Sequence, residues 1–302
     1  MNKDRLVVKD NSLIDACFNL SLIEHRLMLL AVVEARELPN LTSETPVEVK
    51  ALTYREQYNT DQSEAYKQLA DASKQLFNRQ FSYIDRYEDT DAVTVSRWVN
   101  EVTYVKEKGL VVLYLNRNVI EMITRLESQF TRYHLNQVSN LTSQYSIRLY
   151  EIVAKWITTG QTQKYEIQYL RSLLGIESDE YKTMSNFKSR VLDRAVNEVN
   201  EKTDIRVQYD QVKQGRTISH IQFKIKRKVT KATKPLTRLT AKQIDMFSDK
   251  LSRLPSFQSH FVAAIGANTE QYKEQIATKL EEDFYVEQWL PYLEEVGFKL
   301  PH

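Results

Sequence analysis

A single cysteine, Cys17, in 302 residues excludes a disulfide within the chain and any zinc site built on paired thiolates. Its setting, Ala16-Cys17-Phe18, predicts a buried and inert thiol. Only six glycines and six prolines are present, too few for a collagenous or low-complexity chain. The glycines, at 109, 160, 175, 215, 266 and 297, are too dispersed to form a phosphate-cradling G-x-x-x-x-G-K-[ST] loop. The five histidines, at 25, 134, 220, 260 and 302, form neither H-x-H nor H-E-x-x-H. That removes the usual grounds for a metal-dependent nicking site or a zincin. There is no G-x-S-x-G, and seventeen tyrosines without a histidine pair single out no nucleophile. No apolar run approaches the length of a membrane span, and "MNKDRLVVKDN" lacks the apolar core of a signal peptide. The expectation is a cytoplasmic, soluble protein without membrane contact, cofactor, metal or catalysis.

What is present is enough apolar residue, 42%, for real cores, with 27% charged. One order of elements occurs twice. In the first half, "SLIEHRLMLLAVVEARE" (21–37) reads as an apolar helix that Ser21 can cap, with Glu24 completing a capping box. "VEVKAL" (47–52) alternates like a strand, and "TYREQYN" (53–59) reads as a short helix with Thr53 and Glu56 as its box. "SEAYKQLADASKQLFNRQ" (63–80) is a longer helix. "FSYIDRY", "AVTVSRWVNEVTYV" and "LVVLYLN" are β-rich, the last two joined by residues 106–109.

The second half repeats this. "SQYSIRLYEIVAKWIT" (143–158) is a helix with Ile147, Tyr150, Ile152, Val153, Ala154 and Ile157 as its apolar side. "KYEI" is a short strand and "QYLRSLLGI" a short helix that Gly175 ends. "YKTMSNFKSRVLDRAVNEVNEKT" (181–203) is a third helix, capped by Thr183 or Ser185, with Met184, Phe187, Val191, Ala195 and Val199 on one face. "DIRVQYD" and "TISHIQFKIKRK" form a hairpin around "QVKQGR". Helix, strand, short helix, long helix and two-stranded wing is the winged-helix order, in which the third helix enters the DNA major groove. The fold class expected is α+β, two tandem winged-helix domains with a helical C-terminal extension. The divisions are 1–130, 131–229 and 230–302.

The net charge of +2 conceals a strong asymmetry. Residues 182–228 carry twelve Lys and Arg against five acids, a balance of +7 in a segment that would face DNA. Lys188, Arg190 and Arg194 lie on the third helix, with Asn186 and Ser189 able to hydrogen-bond bases or phosphates. Lys188 is awkward, since its angle falls inside the apolar arc. Lys213 and Arg216 flank Gly215 in the wing. The first-half counterpart is thinner, with Lys67, Lys74 and Arg79 on its long helix and Arg86 and Arg97 in the β region.

Together, "LTSQYSIRLYEIVAKW", "LRSLLGI", "NFKSRVLDRAVNEVNEKTDI" and "ISHIQFKIKRK" resemble the replication initiators of iteron-containing plasmids. "NSLIDACFNLSLIEHRLMLLAV" and "ALTYREQYN" extend the resemblance across residues 5–228. It implies a protein that binds direct repeats in double-stranded origin DNA as a monomer. It also implies recruitment of the host initiator and replicative helicase, with homodimers formed through the first domain repressing the initiator's own promoter. The family's reading helix places Lys182, Asn186, Lys188 and Arg190 nearest the bases. The first domain's share of the repeat falls to Lys67, Lys74 and Arg79.

Beyond Lys228 the pattern fades into a polar linker, "KVTKATKPLTRLTAKQ", and then helical patterning that includes Phe284, Tyr285 and Trp289. Residues 231–302 hold nine basic and ten acidic residues, which argues against a DNA grip there and for an appendage that packs on the body or recruits a partner. Three other readings remain open. One is a dimeric winged-helix repressor with no role in replication; the others are a nicking initiator and a protein–protein adaptor.

Overall fold

The computed structural model describes residues 5–124, 130–228, 239–258, 261, 268–281, 285–286 and 289–298. The chain forms two compact units, 1–228 and 229–302. The larger holds both winged helices around one continuous apolar core running from Val7 to Ile225.

In the first half, Leu6–Asp10 (β1), Asn11–Ile14 (α1) and Cys17–Phe18 (β2) precede helix Leu22–Arg36 (α2). The capping box forms as expected: the Ser21 hydroxyl accepts from Glu24 N, and Glu24 Oε2 accepts from Ser21 N at 2.6 Å. Strand Val47–Lys50 (β3) stops two residues earlier than the alternation suggests. Ala51 and Leu52 open helix Ala51–Tyr58 (α3), so Thr53 lies inside the helix and caps nothing. Burial gives the reason: Ala51, Tyr54 and Tyr58 are the buried positions, and their spacing is helical. Gln62–Leu76 (α4) follows, then Gln80–Tyr87 (β4), Thr90–Arg97 (β5), Val99–Val105 (β6) and Leu110–Leu115 (β7). The sheets run β3-β7-β6 and β2-β4-β5, so β5 is an edge.

Arg117–Thr124 (α5), Phe130–His134 (β8) and Asn136–Ser139 (α6) lead to the second half. β8 pairs antiparallel with β1, with Val7 opposite Tyr133, a pairing that no periodicity announces. Gln144–Ala154 (α7) carries nine consecutive buried residues, Ser146 to Ala154. A helix buried all round lies inside a core. This one packs on the second half's elements and presents Arg148 and Glu151 to the first half. Tyr165–Glu166 (β9) and Ile167–Leu173 (α8) follow, and α8 ends at Gly175 with φ +72°. A Cβ there would sit 2.4 Å from the Phe18 carbonyl oxygen, which explains glycine on both counts.

The third helix starts at Met184, capped by Thr183, whose hydroxyl accepts from Asn186 N at 3.2 Å. Met184–Phe187 (α9) passes into a π-helical turn, Lys188–Leu192, and on into Asp193–Lys202 (α10). Ile205–Gln214 (β10) and Thr217–Arg227 (β11) form the wing, in a sheet ordered β10-β11-β9. The wing turn is tighter than the expected "QVKQGR" loop. Pairing continues to Gln214 and Thr217, leaving Gly215 (φ +62°) and Arg216 at the tip.

Cys17 is half-buried rather than buried. Desolvation raises its thiol pKa, with Arg148 opposing and Asp15 adding to the shift, so it stays protonated. His25, on α2, is 1% exposed, and its Nε2 lies 3.4 Å from Glu151 Oε2. Burial lowers its pKa below the ordinary 6.5, Glu151 opposes, and Lys9 and Arg148 reinforce. The unfolded chain then takes up a proton through about pH 6.5 that the folded chain resists, so stability falls as pH drops below that value. Glu151 does not share that window. Burial alone would raise its carboxyl, but Lys9, His25 and Arg148 hold it well below 4.5. The thermal midpoint should therefore decline from about pH 7 to 5.5. His25→Phe, which keeps a ring against Phe18, should flatten that decline; an equally steep profile in the variant would exclude His25 as the source.

The unit 229–302 has its own core, in which Phe257, Trp289 and Leu293 are fully buried. Its helices are Ala241–Ser252, Pro255–Gln258, Thr269–Leu280 and Leu290–Glu295. Trp289 stacks edge-on to Phe257 at 4.9 Å. Tyr285 packs against this core, while Phe284 and most of the linker, 229–238, lie outside the described residues.

Candidate nucleic-acid interface

The interface is built on the third helix of the second half. Phe187, Val191, Leu192, Ala195, Val196 and Val199 bury one side of it. From Phe187 the main buried positions recur every four residues, and an α-helix of 3.6 residues per turn would let such a stripe drift by about 40° at each step. The π turn takes up that drift: Asp193 N–H donates to Lys188 O, five residues back. It also accounts for Lys188, which an ideal wheel places on the apolar side. Lys188 is half-buried.

A buried arginine sets the start of this helix. Arg171, 8% exposed, donates to the carbonyls of Glu180 at 2.6 Å and Tyr181 at 3.1 Å. Its guanidinium also lies over the Phe187 ring at 5.3 Å. Tyr181 is held at φ +39°. The far end is tied to the wing, since the Asn200 amide exchanges two hydrogen bonds with the Val207 backbone, at 2.8 and 2.6 Å. The Tyr209 hydroxyl donates to Asp193 Oδ1 at 2.6 Å.

With the inner side fixed, the outer side is free. Lys182, Asn186, Ser189, Arg190 and Arg194 are all exposed along the helix, and Lys213 and Arg216 are exposed at the wing tip. Other basic residues of 182–228 are arranged differently. Lys202 is bound to Glu198 at 2.8 Å and Lys224 to Asp210 at 2.6 Å. Lys228 Nζ donates to Thr203 O, closing the helix terminus. Arg206 and Lys226 face each other across β10 and β11, on the sheet rather than the helix.

In the first half, Lys67 and Lys74 are exposed on α4, interleaved with exposed Glu64 and Asp71. That face carries no net charge. Arg79 is only half-exposed, and its Nε donates to the buried Glu24 carboxylate at 2.8 Å. It is a brace between α2 and the end of α4. Among the described residues, no group of three or more His, Cys, Asp and Glu could hold a metal ion. No helix among them is long and apolar enough to cross a membrane.

Residues 6–154 match the family described as initiator replication protein, WH1, and residues 166–225 match initiator Rep protein, WH2. The chain belongs to the replication initiator family. It carries two winged-helix domains. A replication initiation protein of Escherichia coli is 24% identical over 256 residues, covering 82% of this chain and 77% of that one. An uncharacterized 27.6 kDa protein of Escherichia coli is 23% identical over 224 residues, 69% of this chain and 90% of that one. Among solved structures, the Pi initiator protein in complex with iteron DNA has the same fold. Its TM-score is 0.63 at 22% identity, covering 76% of this initiator and all of that chain.

Several exposed residues lie outside the candidate contacts drawn from the sequence. Ser185 and Asn197 are exposed on the third helix beside the named cations. Lys106 and Lys108 are exposed at the turn between β6 and β7, the wing of the first half. The signal was available: "KEKG" between two alternating apolar runs is a turn carrying two cations, with Gly109 in the left-handed region.

Proposed function

We propose that the chain is a plasmid replication initiator that binds direct repeats in origin duplex DNA. The observation that carries this is the exposed side of the third helix, where Lys182, Asn186, Ser189, Arg190 and Arg194 stand on a backbone clamped at both ends. Arg190 is the candidate base reader; Lys182, Lys188, Arg194, Lys213 and Arg216 are phosphate contacts. The first domain, 1–130, meets the other part of the repeat through Lys67 and Lys74, and 131–229 is the main reader. Arg79, bound to Glu24, acts by supporting α4. No covalent chemistry is involved. The bound protein deforms the repeat and recruits the host initiator and helicase, with 230–302 as an appendage available for such contacts. Selection from a random duplex pool tests this: one recurring sequence should be enriched, and an unenriched pool would defeat it.

Autorepression by a homodimer fits the first domain. Ile84, Val93 and Val95 form one exposed apolar face on β4 and the edge strand β5, at 64, 69 and 61% exposure. A twofold interface would place this face against its own copy. Val93→Lys with Val95→Lys should weaken self-association by about tenfold or more, through like-charge repulsion. Sedimentation measures this, and an unchanged dimer constant would move the interface elsewhere.

A further inference from the structure

The two winged helices meet across a buried ion cluster centred on one carboxylate. Glu151 lies on α7, which ends the stretch matched as WH1 but packs on α10 of the second half, and it is fully buried. Its Oε1 accepts from Lys9 Nζ at 2.6 Å and from the Tyr133 hydroxyl at 2.7 Å. Its Oε2 accepts from Arg148 Nη1 at 3.0 Å and has His25 Nε2 at 3.4 Å. Lys9 and His25 come from β1 and α2 of the first half and Tyr133 from β8, the strand paired with β1, whereas Arg148 shares α7 with Glu151. Arg148 extends the cluster. Its Nη2 donates to the carbonyls of Ile14 and Ala16, each at 3.0 Å, and its Nε donates to Leu173 O on α8. Phe18 lies under its guanidinium at 4.1 Å.

An apolar interface is non-directional and tolerates small sliding motions. This one does not. A shift of the first half by an ångström or so would take Lys9 and Tyr133 out of hydrogen-bond range. It would also leave the Lys9 ammonium, 2% exposed, without its anion, and would draw the Ile14 and Ala16 carbonyls away from Arg148. Interfaces between domains of one chain otherwise permit relative motion by default.

We propose that Glu151 is a positioning residue that holds the two winged helices in a single register, so that both engage one DNA site at once. This rests on the DNA-binding reading above. Two linked modules gain affinity only when geometry lets both bind together. The cluster fixes that geometry before DNA arrives.

The test compares full-length wild type with Glu151→Gln on two duplexes: the site selected by the wild type, and the half of it protected by the second domain. Glu151→Gln should bind the half-site within about threefold of wild type, while losing about a hundredfold on the full site. Its footprint should contract to the second-domain half, a change that general destabilisation would not produce. Equal loss on both duplexes, or an unchanged footprint, overturns the proposal. Should Glu151→Gln fail to fold, Lys9→Met decides, because it leaves Glu151 paired with Arg148. A folded Lys9→Met chain with a shortened footprint supports the proposal, and one with the full footprint overturns it. Failure of both variants to fold makes the cluster a folding determinant and also overturns it. A wild-type chain that selects no duplex defeats the DNA-binding reading itself, an outcome distinct from a defect confined to the variants.

Discussion

Raising salt from about 50 to 200 mM should lower the affinity for the cognate repeat by about five-hundredfold. Six cations of the second half are placed to neutralise phosphates or read a base: Lys182, Lys188, Arg190, Arg194, Lys213 and Arg216. Each neutralised phosphate on duplex DNA releases condensed counterions and adds about −0.9 to the slope of log affinity against log salt, so the five phosphate contacts, without the base reader Arg190, give about −4.5. Lys202, Lys224 and Lys228 are excluded from that count because their ammonium groups are already bound within the protein. Engagement of Lys67, Lys74, Lys106 or Lys108 would steepen the slope further. A titration of binding against potassium chloride gives the number directly. A slope near zero would mean that the exposed side of the third helix is not the grip.

Arg190→Ala should cost about 1–3 kcal/mol on the cognate repeat, roughly ten- to a hundredfold in affinity. Arg190 is exposed within the π turn, and the burial of Val191 and Leu192 behind it fixes the backbone from which it extends. A guanidinium can pair with two acceptors on one guanine edge, and an ammonium cannot reproduce that fork. Arg190→Lys should therefore lose most of the same affinity. The comparison with random duplex separates the two possible roles. A base reader loses affinity on the cognate sequence alone, whereas a phosphate contact loses it equally on both and lowers the salt slope by about one.

What could be read in the sequence was whatever depends on near neighbours. The Ser21–Glu24 box, the Thr183 cap and the stop at Gly175 are set by residues three or four apart, and each forms as the local pattern predicts. The repeated winged-helix order follows from apolar periodicity in the same way. The β3–α3 junction is ambiguous in the sequence because Ala51 both continues the Val47–Val49 alternation and opens a helix. Only the burial of Tyr54 and Tyr58 decides between them. Lys188 looked anomalous because a wheel assumes uniform α geometry, and the π turn breaks that assumption.

Contacts made across the fold left no local trace. Lys9 sits in "LVVKD" like any exposed strand residue, yet its ammonium is buried against a carboxylate 142 residues away. Arg148 and Glu151 read as the polar side of an amphipathic helix, but α7 is covered on that side as well. Arg79 is a case in which the sequence hides a partner. As a cation on a long helix it resembled Lys67 and Lys74, whereas the buried Glu24 claims its guanidinium. A count of basic residues marks a region of the chain and cannot say which of them face outward.

The most direct measurement is the footprint and stoichiometry of the wild-type chain on a site selected from random duplex DNA. Two winged helices placed about one helical turn apart along the duplex should protect an asymmetric site of about 20 bp, filled by a single chain. A palindrome occupied only by two chains would contradict the account and make the protein a dimeric repressor.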